Sequence, residues 1–137
     1  MENKKMISEE DSRTLFANIG SIRIFNRNLM ENLQQRMKEW DDSKTIIGDI
    51  FVQLGPFLKT YKTYCDNYDK AIAVYERIRA KKSLASFFKG AEAACGGFTL
   101  PFFLIMPVQR IPRYMLLLRV SRVTFPHHFS HASLRNL

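Results

Sequence analysis

Residues Leu100–Leu118 read LPFFLIMPVQRIPRYMLLL, and no other stretch of this chain is so particular. Aliphatic and aromatic side chains dominate it, three prolines interrupt them, and a polar group of Gln109, Arg110 and Arg113 sits inside. Apolar residues at three- and four-residue spacing predict a helix. Pro107 suits a first helical turn, where a missing N–H is tolerated. Pro112 lies five residues further on and predicts a kink or a restart. At about 100° per residue, Val108, Ile111, Met115 and Leu118 share one side and read as a core stripe. Gln109, Arg113, Leu116 and Val120 share a different side. An amide, a guanidinium and two aliphatics together suit a contact face better than a solvated one. Spacing alone leaves the plainer reading open: a Leu-rich stripe is core, and an arginine beside it snorkels or pairs with a nearby carboxylate.

Working outward, the chain upstream is also patterned as helix. Ser8 followed by Glu9, Glu10 and Asp11 is a helix start, a capping hydroxyl with acids in the positive first turn. Leu15, Ile19, Ile22, Leu29 and Leu33 hold a stripe that is broken at Asn26. One helix from about Glu9 to Trp40 is predicted, weakened at Gly20 by about 1 kcal/mol. Asp41-Asp42-Ser43 ends it. A second helical region begins near Thr45, with Pro56 marking a kink or junction. Tyr61, Tyr64, Cys65, Tyr68, Ala71, Ile72, Tyr75 and Ile78 continue it at three- to four-residue spacing. Tyrosines so placed could stack on nucleic-acid bases. Among aliphatics they read better as core, with the hydroxyls at the surface. Lys81-Lys82-Ser83 breaks the pattern. Ser83 is the expected cap of a short helix carrying Leu84, Phe87 and Phe88, and Gly96-Gly97 ends that helix.

The 137 residues suffice for one domain, and a hydrophobic content of 46% can supply a core. The formal charge of +8 is uneven. Residues 1–42 carry 7 basic and 8 acidic side chains, residues 43–99 carry 9 and 5, and residues 100–137 carry 5 arginines and no acid. Such a surface suits an anionic partner: nucleic acid, anionic membrane or an acidic protein face. It is equally what a chain lacking an acidic continuation would show. Cys65 and Cys95 have neither zinc nor redox spacing, so a reduced cytoplasmic setting is the default. Neither a signal peptide nor an apolar run of membrane length is evident. A glycine-rich phosphate loop is missing, and no partnered nucleophile can be placed, so neither nucleotide binding nor covalent catalysis is expected. His127, His128 and His131 crowd the tail without the acids or cysteines of a metal site, and no cofactor is expected.

The run from Phe103 to Leu118 resembles the signature helix of the Dbl-homology (RhoGEF) family, of the form F-L-I-x-P-V-Q-R-I-P-R-Y-x-L-L-L. Other words agree. Leu15-Phe16-Ala17-Asn18-Ile19 with Ile22 is similar to the family's I-F-x-N-I-x-x-I. IGDIF at 47–51 and YKTYCDNYDKA at 61–71 are similar to its second conserved block. The resemblance implies an all-α, elongated helical bundle. It also implies a guanine-nucleotide exchange factor, or a fragment of one, for a Rho-family small GTPase. Such a factor distorts the GTPase's magnesium and phosphate site through the switch regions and speeds GDP release without a covalent step. Recruitment to a membrane is compatible with it, whereas nucleic acid becomes the less favoured partner. Gln109 and Arg113 match the family positions that face the switches. Leu116 and Val120 are added from the helical wheel as apolar contacts. A non-catalytic GTPase-binding or interaction module is the alternative.

The match departs from the family pattern in places. Ser121 and Arg122 stand where two leucines are usual, and on the wheel Arg122 returns to the core stripe, which is costly if it is buried unpaired. Phe102 replaces a usual serine and Met106 a usual lysine. The family's opening helix finds no counterpart in Met1–Ser8, and the tail lacks its final helix. The expected organisation is a partial Dbl-homology domain over residues 9–123 with a divergent tail over 124–137. Because the family divides its work among three helices, this chain alone is expected to be a poor or inactive exchange factor.

Overall fold

The computed structural model describes residues 6–41 and 45–124, with the backbone alone at Leu54 and at 121–124. Among these residues every regular element is helical: α1 (Glu9–Phe16), α2 (Ile19–Lys38), α3 (Gly48–Leu54), α4 (Leu58–Arg79), α5 (Ala85–Ala94) and α6 (Leu100–Thr124). The fold is all-α, as the patterning predicts. Two short 3-10 turns, Gly55–Phe57 and Lys82–Leu84, lead into α4 and α5. Pro56 falls in the first of these, where it closes α3 and starts α4.

The single helix expected from Glu9 to Trp40 is two helices. Ser8 caps α1 as predicted, its hydroxyl accepting from the Asp11 N–H at 3.0 Å. The break comes at Ala17, whose φ of 43° is the one positive value at a non-glycine among the described residues. An L side chain is disfavoured there, so tertiary contacts must hold the turn. One such contact is on hand. Asn67, in the YKTYCDNYDKA word, donates from Nδ2 to the Thr14 carbonyl at 2.6 Å. Ending a helix leaves its last carbonyls without backbone donors, and a side-chain amide is a suitable substitute. Asp11 adds a second tie. Arg77 donates to its carboxylate and, as the main cause, holds its pKa below the usual carboxylate value. Removing the cap with Ser8→Ala should cost about 1 kcal/mol of stability in chemical denaturation, with helicity lost first in α1.

Contacts divide the chain into two compact units. The first comprises residues 1–19 and 62–108. Its core is Leu15, Tyr75, Ile78 and Leu84, with Ile7, Val74, Phe88 and Leu100 packed around them. Tyr75 meets Phe88 edge-on at 5.6 Å. Tyr64 is buried as well. Its hydroxyl donates to the Leu104 carbonyl at 3.0 Å, and burial pushes its pKa up to about 12. The Tyr61, Tyr64 and Tyr75 rings are core, as expected, and Tyr68 is half-buried, but the Tyr64 hydroxyl is not at the surface. An apolar interior with a backbone acceptor on hand can bury a phenol without leaving its O–H unmet. Cys65 beside it is half-buried, and desolvation raises its thiol pKa.

Ser83 does not cap α5. It lies inside the 3-10 turn, and the cap position is Leu84, which makes no side-chain capping bond. The tight turn satisfies the helix start in its place. The other end behaves as the glycines predict: Gly96 and Gly97 take φ values of 69° and 85°, and the Gly97 N–H reaches back to the Glu92 carbonyl at 2.8 Å.

The second unit comprises residues 20–61 and 109–137. Ile22, Phe25, Leu29, Ile50 and Tyr61 are its buried apolar residues. Phe25 packs edge-on against Tyr61 at 5.6 Å and tilted against Phe57 at 5.7 Å. The IGDIF word has a physical role here. Arg36 grips Asp49 with both guanidinium nitrogens, at 3.0 and 2.9 Å, and also donates to the Ile46 carbonyl. That fork is the main cause holding the Asp49 carboxyl below its usual pKa. It ties the start of α3 to the end of α2. Asp42 and Ser43, expected to end the first helix, lie outside the described residues, as do the three tail histidines and the off-pattern tail from Phe125 onward.

Candidate functional site

The site predicted from sequence lies on α6, and how this helix sits in the second unit decides what it presents. Its N-terminal turn holds Pro101, so Pro107 is an interior residue rather than the first-turn proline expected. Pro112 is interior too, and the helix is continuous from Leu100 to Thr124 without a restart. A proline cannot donate to the carbonyl four residues earlier, which here means Phe103 and Val108. The helix survives because it is long and most of its other backbone bonds remain.

In the second unit Ile111, Tyr114, Met115 and Leu118 turn inward. They line an apolar hollow of about 90 Å³ with Phe25, Leu29, Phe51 and Leu58. Three of the four residues of the expected core stripe, Val108, Ile111 and Leu118, are half-buried. Met115 is 49% exposed, so the stripe is the rim of a hollow rather than a filled core. A flexible thioether suits such a rim. The side chain of Arg122, expected to return to this stripe, lies outside the described residues.

The four predicted contact residues all lie on the opposite side and are all exposed, Leu116 at 63% and Val120 at 56%. Gln109 and Arg113 meet: Arg113 Nη2 donates to Gln109 Oε1 at 2.8 Å. This pair is one turn long and open to solvent, so it holds the guanidinium in place while leaving its other donors free to reach outward. Two aliphatics exposed beside it add contact area. Leu117, 62% exposed, belongs with them and was not singled out from the sequence. The wheel places it at the edge of the face rather than its centre.

Sequence reasoning also missed a polar cluster on the inner side. The Tyr114 hydroxyl accepts from Arg110 Nε at 2.6 Å and donates to Asn26 Oδ1 at 3.1 Å. The Asn26 amide donates in turn to the Tyr61 hydroxyl and the Ile22 carbonyl, each at 2.7 Å. The available signal was Asn26 itself, a polar residue in the middle of an apolar stripe. Elsewhere, no three His, Cys, Asp or Glu residues stand together as a metal site among the described residues. No described helix is long and apolar enough to cross a membrane.

Comparison with known proteins decides what this helix belongs to. The sequence model of the RhoGEF domain matches residues 1–134. The chain belongs to the RhoGEF, or Dbl-homology, family. Curated relatives agree. The chain is 41% identical over 120 residues to human FYVE, RhoGEF and PH domain-containing protein 1, covering 82% of this chain and 12% of that protein. It is 38% identical over 122 residues to human FYVE, RhoGEF and PH domain-containing protein 4, covering 85% and 16%. It is 35% identical over 133 residues to the Dictyostelium discoideum guanine exchange factor for Rac 30, covering 96% and 8%. This RhoGEF chain therefore spans only a small fraction of the length of the curated relatives it matches. No solved structure gives a significant match.

Proposed function

We propose that this RhoGEF chain binds a Rho-family small GTPase through the outer face of α6 and favours release of its GDP. The observation that carries the proposal is the outward set of Gln109, Arg113, Leu116 and Val120, exposed together on the signature helix of a family member. Arg113 supplies positive charge to an acidic residue of the GTPase switch. Gln109 hydrogen-bonds the same switch, and Leu116 and Val120 cover its apolar surface. No bond is made or broken in this scheme. The chain accelerates release only as far as it binds the open, nucleotide-free GTPase better than the loaded one.

Gln109→Ala should weaken GTPase binding by about 0.5–1.5 kcal/mol, the worth of one neutral hydrogen bond. Calorimetry against a nucleotide-free GTPase measures it. The variant also releases Arg113 from its 2.8 Å tie, so part of the loss reflects a less ordered guanidinium.

The function is tested by fluorescent GDP release from a panel of Rho-type GTPases. Release above the intrinsic rate with at least one of them, lost in Arg113→Glu, supports exchange. Saturable binding with no release would favour the non-catalytic interaction module. No binding to any member would refute both.

A further inference from the structure

We propose that Tyr114 and Asn26 form a polar lock that fixes the rotation of α6 about its own axis in the second unit, with Arg110 orienting the Tyr114 hydroxyl from the same helix. The lock thereby positions the Gln109–Arg113 face, and in that respect the proposal rests on the function proposed above. The need for a lock comes from the helix itself. From Gln109 to Val120, apolar side chains stand on both sides: Ile111, Met115 and Leu118 inward, Leu116, Leu117 and Val120 outward. Burial free energy follows the apolar area removed from water and has no direction. Turning this stretch by about a third of a turn would exchange one set of aliphatics for another at little difference in apolar burial, and what opposes it is polar: Gln109 and Arg113 share the outer face and would lose solvent. The hydrophobic effect therefore holds α6 against the unit but does not choose its facing.

Hydrogen bonds do choose, because they have direction and short range. Tyr114 is half-buried on the inward side, and its hydroxyl sits between Arg110 Nε at 2.6 Å and Asn26 Oδ1 at 3.1 Å. Asn26 is itself held from behind, through its amide, by Tyr61 and by the Ile22 carbonyl. The acceptor that Tyr114 finds is thus fixed on α2 and buttressed by α4. Phe51 meets the Tyr114 ring edge-on at 5.8 Å, which centres the ring but would tolerate phenylalanine equally well. Rotation of α6 in either direction takes the hydroxyl off Asn26 and leaves a half-buried amide oxygen short of its donor. Use of buried polar groups to select one packing register over similar ones is well attested in helical assemblies. Facing each other through the helix, Tyr114 and Gln109 are set by the same rotation, so the lock acts on the outer face through the helix and not by touching any partner.

The test reads facing directly. In a background with Cys65→Ser and Cys95→Ser, one thiol is placed at the outward Leu117→Cys or the inward Leu118→Cys, and rates of maleimide labelling are compared. With Tyr114 and Asn26 intact the outward thiol reacts faster. Tyr114→Phe and Asn26→Leu should each lower the outward-to-inward ratio by about three- to ten-fold, the loss of one or two neutral hydrogen bonds. Helical circular dichroism should be unchanged in all of them. An unchanged ratio in folded Tyr114→Phe and Asn26→Leu overturns the lock. So does an equal loss in Phe51→Leu, which would put the register in apolar packing, and so does unfolding of Tyr114→Phe, which would make the hydroxyl a prop of the whole fold. The positioning role has its own readout. Tyr114→Phe should slow GDP release although Arg113 itself is not substituted, and unaltered release would overturn that role. Failure of the exchange reading is separate: the unsubstituted chain would then release no GDP, while the labelling ratio still reports the lock.

Discussion

Arg113→Glu should weaken binding to a Rho-family GTPase by about 2–5 kcal/mol, the cost of reversing a charge that the proposed interface buries. Arg113 is exposed in the free chain, and one of its nitrogens is already ordered by Gln109 at 2.8 Å. An ordered guanidinium gives up little freedom when it meets a carboxylate, which is why such residues dominate interfaces. Glutamate at this position would meet the acidic switch residue of the proposed contact with the wrong sign, and it also loses the bond to Gln109. The same exposure predicts that the variant folds normally, since among the described residues no ion pair involves Arg113. Titration calorimetry gives the loss, and circular dichroism gives the control. Equal binding by both proteins would remove Arg113 from the site.

Ile78→Ala should be the costliest of the simple core truncations, at about 2–5 kcal/mol of stability. Ile78 is 1% exposed and lies at the centre of the first unit's core, against Leu15, Tyr75 and Leu84. It also lines an apolar hollow of about 220 Å³ whose other walls include Leu15, Phe88 and Leu100. Truncation enlarges a space that is already unfilled. Because its walls belong to four helices and a 3-10 turn, they cannot all close on the gap. Urea unfolding with a shifted midpoint and an unchanged slope is the expected record. A loss below about 1 kcal/mol would mean that the site collapses freely, and that Ile78 packs less tightly than its burial indicates.

These two residues also show how far the sequence carries. Ile78 is legible because a run of apolar residues at helical spacing needs no knowledge of neighbours. The same is true of Ser8 as a cap and of Gly96-Gly97 as a stop, since those effects are local. The outward placing of Arg113 came from the wheel together with the family pattern, and its exposure agrees with that reading. What the sequence hid is long-range. Ala17 carries no sign of a positive φ; a contact from Asn67, fifty-three residues away, accompanies the break. The Tyr64 hydroxyl turned inward because Leu104 offers a carbonyl, which no local pattern could announce. Ser83 had the chemistry of a cap but not the position, because a 3-10 turn satisfied the helix start first. Asn26 was visible only as an interruption, and its meaning waited on Tyr114, eighty-eight residues further along.

The central claim is that this chain distinguishes states of its GTPase, and affinity measures that directly. The same Rho-family GTPase is offered to the chain stripped of nucleotide and then loaded with GDP and magnesium. Equal affinity for two states shifts no equilibrium however tight the binding. The account predicts tighter binding to the stripped form, with the preference lost in Arg113→Glu. Equal affinity for the two forms would contradict it.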